Sequence, residues 1–267
     1  MAVDFAFLDS GTGGIPYMLY LKKKAPFAKC VYLGDTINFP YGEKTPDEIC
    51  KCAKSACEKL IKNFSPTAIV IACNTISVTA LDELRKTFPN TAFVGTVPAI
   101  KLAAEVSKNH RIGLLATNQS VNNPYTDKLI ADFAQDCYVA KLGEPKLIEF
   151  IEKSLFTATE NEIKNAILPS LDFFKKENVD TIILGCTHFL HISDKIAKYA
   201  GNEIKIVDSR EGVTNQALRI LEKMPKNTTK IKTIDKSFFV TSEKNEKKEY
   251  EILSEKLNLF YGGVLQN

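Results

Sequence analysis

Residues 69–75 read Ile69-Val70-Ile71-Ala72-Cys73-Asn74-Thr75, and residues 182–187 read Ile182-Ile183-Leu184-Gly185-Cys186-Thr187. Each stretch is a short apolar run followed by a small residue and a cysteine, with a threonine close behind. A short run without polar alternation predicts a strand covered on both faces, as in parallel sheets. Comparable runs stand at Val3–Leu8, Val31–Leu33, Ala68–Ala72, Ala92–Val94, Ile112–Ala116, Tyr138–Ala140, Thr181–Leu184, Ile204–Val207 and Phe238–Thr241. Helix-length segments lie between many of them. Thr45-Pro46-Asp47-Glu48 and Thr159-Glu160-Asn161-Glu162 are capping boxes, predicting helices towards Lys62 and Glu177. Alternating strands and helices predict an α/β protein with right-handed crossovers.

The two quoted stretches are 113 residues apart (186 minus 73) and form a weak internal repeat. Phe5–Ser10 and Leu114–Asn118 stand at a similar offset. Two copies of one α/β unit explain both matches. The predicted architecture is two pseudo-symmetric, doubly wound parallel-sheet lobes with the active site in the cleft between them. The break falls near Thr96-Val97-Pro98. The predicted lobes are residues 1–96 plus 208–267, and residues 97–207. The stretch after Asp208 is a return to the first lobe: a helix over 211–222, a strand at Phe238–Thr241 and a last helix over 246–257. Lys226–Lys236 reads as a polar surface loop. Lys244–Lys256 reads as a solvated helix face.

Composition narrows the class. At about 150 residues per domain, 267 residues suit two domains or one large one. Hydrophobic residues are 45% and charged residues 25%, ordinary globular values. A net charge of +3 excludes a nucleic-acid binder driven by bulk charge. Seven cysteines, an odd count without framework spacing, do not read as a disulfide scaffold and suit a reducing cytosol. No apolar run approaches the roughly 20 residues of a membrane-spanning helix. The N-terminal stretch lacks the basic start of a signal peptide. The expectation is a soluble cytoplasmic protein.

Parallel sheets bind ligands at the carboxyl ends of their strands. Polar, small and reactive residues collect there repeatedly: Asp9-Ser10-Gly11-Thr12-Gly13-Gly14, Gly34-Asp35 with Pro40-Tyr41-Gly42, Cys73-Asn74-Thr75, Thr117-Asn118, Cys186-Thr187-His188 and Asp208-Ser209. The glycine loop is not a dinucleotide fingerprint, since Pro16 stands where a third glycine is needed, nor a P-loop. Cys30, Cys50, Cys52, Cys57 and Cys137 read as core residues, the commonest role of a free cysteine. Cys73 and Cys186 differ, because each ends a strand where a helix is expected to start. Backbone N–H groups and the helix dipole there favour thiolate. His188, two residues after Cys186, reads as an acid/base or a partner of that thiol. A metal site from Cys186, His188 and His191 is disfavoured, because no carboxylate or second cysteine sits beside them. Two thiols on two lobes suit a symmetrical proton problem. One thiolate removes a proton from one face of a carbon and the other thiol delivers one to the opposite face. That inverts a stereocentre and demands no metal or redox cofactor.

These motifs resemble those of the glutamate racemases, within the cofactor-independent Asp/Glu racemase superfamily. The matching residues are the 9–14 loop, Asp35 with Pro40-Tyr41-Gly42, Ala72-Cys73-Asn74-Thr75, Gly185-Cys186-Thr187-His188 and the tail around Phe239-Val240-Thr241. Aspartate racemases usually show Glu where His188 stands. The resemblance implies Cys73 and Cys186 as the acid/base thiols, Asp9 supporting Cys73 and His188 supporting Cys186. It implies substrate binding by Asp9, Ser10, Asn74, Thr75, Thr117, Thr187 and His188 and by the backbone of Tyr41 and Gly42. Glu152 matches a family glutamate near the second thiol. The chain departs from the family at Phe189-Leu190-His191, where Tyr-Pro-Leu is usual. The resemblance further implies interconversion of L- and D-glutamate for peptidoglycan, no cofactor, no metal, no nucleic-acid or membrane partner, and a homodimer. Alternatives are the same fold acting on aspartate, hydantoin or another small carbon acid, a small-acid binding protein, and a cysteine hydrolase.

Overall fold

The computed structural model describes residues 2–223, 236–243 and 246–266. The predicted loop at Lys226–Lys236 lies outside them except for Lys236 itself. The strands are β1 (Phe5–Asp9), β2 (Cys30–Gly34), β3 (Ala68–Ile71), β4 (Ala92–Gly95), β5 (Arg111–Ala116), β6 (Tyr138–Gly143), β7 (Thr181–Leu184), β8 (Lys205–Val207), β9 (Ser237–Val240) and β10 (Phe260–Val264). The helices are α1 (Ile15–Lys24), α2 (Pro46–Phe64), α3 (Asn74–Thr87), α4 (Ile100–Val106), α5 (Asn118–Val121), α6 (Pro124–Phe133), α7 (Pro145–Lys153), α8 (Glu160–Lys176), α9 (Ser193–Ala200), α10 (Arg210–Glu222) and α11 (Lys247–Lys256). Two compact units result: Met1–Thr96 with Arg210–Asn267, and Val97–Ser209.

The first unit holds a six-stranded sheet of order β10-β9-β2-β1-β3-β4, with parallel pairing throughout. Alternation along the strands sends Ala6, Leu8, Val31, Leu33, Ile69 and Ile71 to one face. There they share a core with Ile49 and Leu60 of α2 and with Ile76, Ala80 and Leu84 of α3. Phe5 and Phe7 are buried on the opposite face. α1 packs on β2 and α10, and α10 packs on β3 and β4.

The second unit holds a four-stranded parallel sheet of order β6-β5-β7-β8. Ile112, Leu114, Ala116 and Ile183 meet Ile100 and Ala103 of α4 on one face. Phe174 of α8 lies against Gly113 on the other. The order β6-β5-β7-β8 repeats β2-β1-β3-β4 strand for strand, so the internal repeat is a duplicated topology. The expected fold class is therefore found: α/β, with two doubly wound parallel sheets.

Three details depart from the sequence reading. β6 and β8 are edge strands with exposed positions, Tyr138 and Lys205 among them, rather than strands covered on both faces. β10 has no counterpart in the predicted runs. Its sequence, Phe-Tyr-Gly-Gly-Val, lacks a β-branched run, and glycines weaken a strand signal. Gly262 is nonetheless suited to its place, because a Cβ there would stand 2.2 Å from the ring of Phe239. Finally, the register pairs Phe5 with Ala68 and Ile112 with Thr181. Phe5 therefore corresponds to Ile112, not to Leu114.

Candidate active site

The first unit brings Asp9, Ser10, Cys73, Asn74 and Thr75 to the carboxyl ends of the neighbouring strands β1 and β3. Ala72 N–H donates to the carbonyl of Leu8 at 2.8 Å, which carries the sheet register up to Cys73. Asp9 is fully buried, and its Oδ1 accepts from the N–H of Ser10 at 2.7 Å and from its hydroxyl at 3.4 Å. The glycine loop is tight because of close approach. Gly14 has an ordinary φ of −81°, but a Cβ on it would sit 2.5 Å from the carbonyl oxygen of Ala72. Its N–H donates to the Tyr32 hydroxyl at 3.0 Å, and that hydroxyl donates to the carbonyl of Gly11 at 2.8 Å. The Gly14 N–H is thus spent on the fold rather than offered to a substrate.

Cys73 is buried and stands at the N-cap of α3 with extended backbone. Helix α3 runs fourteen residues, so the dipole argument applies to this thiol. Asn74 and Thr75 form its first turn and are buried. Both polar atoms of the Asn74 carboxamide are shielded from solvent and make no hydrogen bond within the protein. Buried amides without partners are rare, so this carboxamide has donor and acceptor capacity that a ligand could use. Tyr41 buries its ring in the same apolar cluster as Cys73. Burial, then the neighbouring Asp35, push its phenol far above the ordinary tyrosine range. Gly42 lies beside it in a 3-10 turn, Tyr41–Glu43.

The second unit is built differently. Cys186 is buried at the same topological position, after β7, yet it opens a six-residue 3-10 turn, Thr187–Ile192, not an α-helix. The expected helical start after Cys186 is thus 3-10 in form, and it runs directly into α9. A side chain also lies against this thiol. Cys186 Sγ lies 3.6 Å from His188 Nδ1, and His188 Nε2 lies 2.9 Å from Glu152 Oε2. Both His188 and Glu152 are buried. Burial alone would lower the imidazole's pKa. The hydrogen bonds to Cys186 and Glu152 outweigh it and hold His188 well above the usual histidine range. By register the counterpart of Asp9 is Ala116, so this half-site draws its carboxylate from helix α7 instead.

Thr187 is buried. Thr117 caps α5, accepting from Ser120 N–H at 3.0 Å and donating to Ser120 Oγ at 3.0 Å. Phe189 and Leu190 are buried within the turn, and His191 meets the edge of Phe156 with ring centroids 5.5 Å apart. Among the described residues no cluster of three or more His, Cys, Asp or Glu is placed to hold a metal ion. Of the remaining cysteines, Cys30 and Cys57 are buried, whereas Cys50, Cys52 and Cys137 are only half-buried at the core margin. Burial pushes the thiols of Cys50, Cys52, Cys57 and Cys137 up, that of Cys50 to about 11. They stay protonated at neutral pH.

Duplicated parallel α/β units, each with a buried thiol after the equivalent strand, define a duplicated α/β class. The chain belongs to the Asp/Glu/Hydantoin racemase family, whose profile matches residues 20–217. It is 39% identical to a glutamate racemase of Treponema pallidum over 217 residues, 81% of each chain. It is 35% identical to one of Haemophilus ducreyi over 242 residues, 90% of each chain. A solved glutamate racemase of Escherichia coli, in complex with L-glutamate and the activator UDP-MurNAc-Ala, shares its fold with a TM-score of 0.87. That match is at 28% identity and covers 98% of both chains. The protein is accordingly a racemase. No helix among the described residues is long and apolar enough to cross a membrane.

Proposed function

We propose that this racemase interconverts L- and D-glutamate by two-base proton transfer at Cα. The observation that carries the reading is that the third strand of each repeat ends in a buried cysteine, Cys73 after β3 and Cys186 after β7. A duplicated thiol suits a reaction that must take and give a proton on opposite faces of one carbon. The glutamate racemases among its relatives support the substrate.

In this mechanism the thiolate of one cysteine abstracts the Cα proton, and the thiol of the other protonates the opposite face. Asp9 supports Cys73. His188, oriented by Glu152, supports Cys186. Asn74, whose carboxamide has no protein partner, binds substrate together with Ser10, Thr75, Thr117, Thr187 and the backbone of Tyr41 and Gly42. The enzyme supplies D-glutamate for peptidoglycan, works in the cytoplasm without a cofactor and forms a homodimer. Seven free cysteines suit that reducing compartment.

Turnover in D₂O without pyridoxal phosphate is expected to place deuterium at Cα of both enantiomers. Absence of exchange from either enantiomer overturns the reading. Exchange from aspartate instead moves it to another carbon acid. Cys73→Ser and Cys186→Ser are each expected to lower racemisation by about 10²–10⁴-fold, because a serine hydroxyl is a poor proton carrier at neutral pH.

A further inference from the structure

Asp35 is buried just past the end of β2, and its side-chain hydrogen-bond donors among the described residues are all neutral. Its Oδ2 accepts from the Tyr41 hydroxyl at 2.5 Å and from Asn38 Nδ2 at 2.9 Å. Its Oδ1 accepts from the Thr241 hydroxyl at 2.8 Å. Its own N–H donates to the carbonyl of Asp9 at 2.8 Å. The bonds around it join the same two stretches of chain. Ile37 N–H donates to Thr241 Oγ1 at 3.1 Å, and Thr36 and Ser242 bond reciprocally. The Thr36 hydroxyl donates to the Ser242 carbonyl at 2.5 Å, and Ser242 N–H donates to Thr36 Oγ1 at 3.1 Å.

Burying a carboxylate among neutral donors is an expensive way to fill space. What it adds is geometric definition, because each donor has one place to point. Among the described residues, every side-chain donor to Asp35 comes from residues 38–41 or from Thr241, the residue after β9. The turn Tyr41–Glu43 in addition packs against α3, the helix that Cys73 opens.

We propose that Asp35 and Thr241 are positioning residues of the first half-site. They lock the segment 36–43, with the backbone of Tyr41 and Gly42, to the strand end that carries Asp9. The role in binding rests on the glutamate reading above. It gives the return strand β9 a purpose beyond extending the sheet: the hydroxyl just past its end sets a segment some two hundred residues earlier in the chain.

The test compares Asp35→Asn, Thr241→Val and Thr241→Ser with the wild type. Thr241→Val keeps the side-chain shape and removes the hydroxyl, and Thr241→Ser keeps the hydroxyl. The KM for glutamate is expected to rise about tenfold in Asp35→Asn and Thr241→Val, with kcat changed less than about threefold. Amide hydrogen exchange over 36–43 is expected to quicken in both, and Thr241→Ser is expected to restore both readouts. Wild-type exchange and KM in Thr241→Val overturn the proposal. So does faster exchange with an unchanged KM, and so does failure of Thr241→Ser to rescue. Should Asp35→Asn fail to fold, the two Thr241 variants still decide. If the wild type itself does not racemise glutamate, the functional reading falls, while hydrogen exchange still shows whether the two residues hold the segment.

Discussion

His188 carries a proton to higher pH than an ordinary histidine because Cys186 and Glu152 bond to both sides of its ring. Its folded pKa lies above its unfolded one. The stability it contributes is therefore complete below about pH 6.5 and is lost as pH rises through the folded value. Glu152→Gln keeps the shape and removes the charge. It is expected to lower the His188 titration midpoint, measured by NMR of the ring, and to move the alkaline loss of stability to lower pH. A cost of about 1–3 kcal/mol in urea unfolding is expected from weakening a bond between charged groups. An unmoved midpoint would deny Glu152 its part. The Cys186–His188 pair was legible in sequence, since its members stand two positions apart. The contact with Glu152 was not derivable from residue order, because it joins α7 to the turn after β7, thirty-six positions on. Resemblance alone pointed to it.

Helices α2 and α8 begin where their capping boxes predict. In each, the threonine hydroxyl accepts from the N–H of the glutamate three residues on, and that glutamate's carboxylate accepts from the threonine N–H. Thr159→Ala is expected to cost about 0.5–2 kcal/mol, read as a shift of the urea midpoint at unchanged slope. Helix α8 continues through Pro169, although proline removes one backbone bond. Ile163, Ile167, Leu171 and Phe174 are buried on either side, and that packing outweighs the break. Caps and apolar runs are local signals, which is why these elements were readable. β10 was not, because a glycine-bearing edge strand is held by pairing with β9 and by contact with Phe239 rather than by its own propensity.

The two units differ in how the chain builds them. Val97–Ser209 is one continuous segment, whereas the first unit needs Arg210–Asn267 to supply α10 and β9. Residues 97–209 alone are expected to give a cooperative urea transition. Residues 1–96 alone are expected to lack one, because β2 loses its partner β9 and Tyr32 loses the ring of Phe238, 5.8 Å away. With no tryptophan in the chain, tyrosine near-UV circular dichroism is the signal to follow. Cooperative unfolding of 1–96 would contradict this division. By itself the sequence determined the α/β class, the duplication and the strand-end thiols, because apolar periodicity, caps and short motifs act over a few residues. Only the tertiary structure decided that the two thiols have different surroundings. It set Cys73 at the head of a long helix and Cys186 against a buried histidine and carboxylate. It also joined Asp35 to Thr241. Hydrogen bonds between residues distant in the chain exist only once the sheets have closed the intervening loops, and no local pattern encodes them.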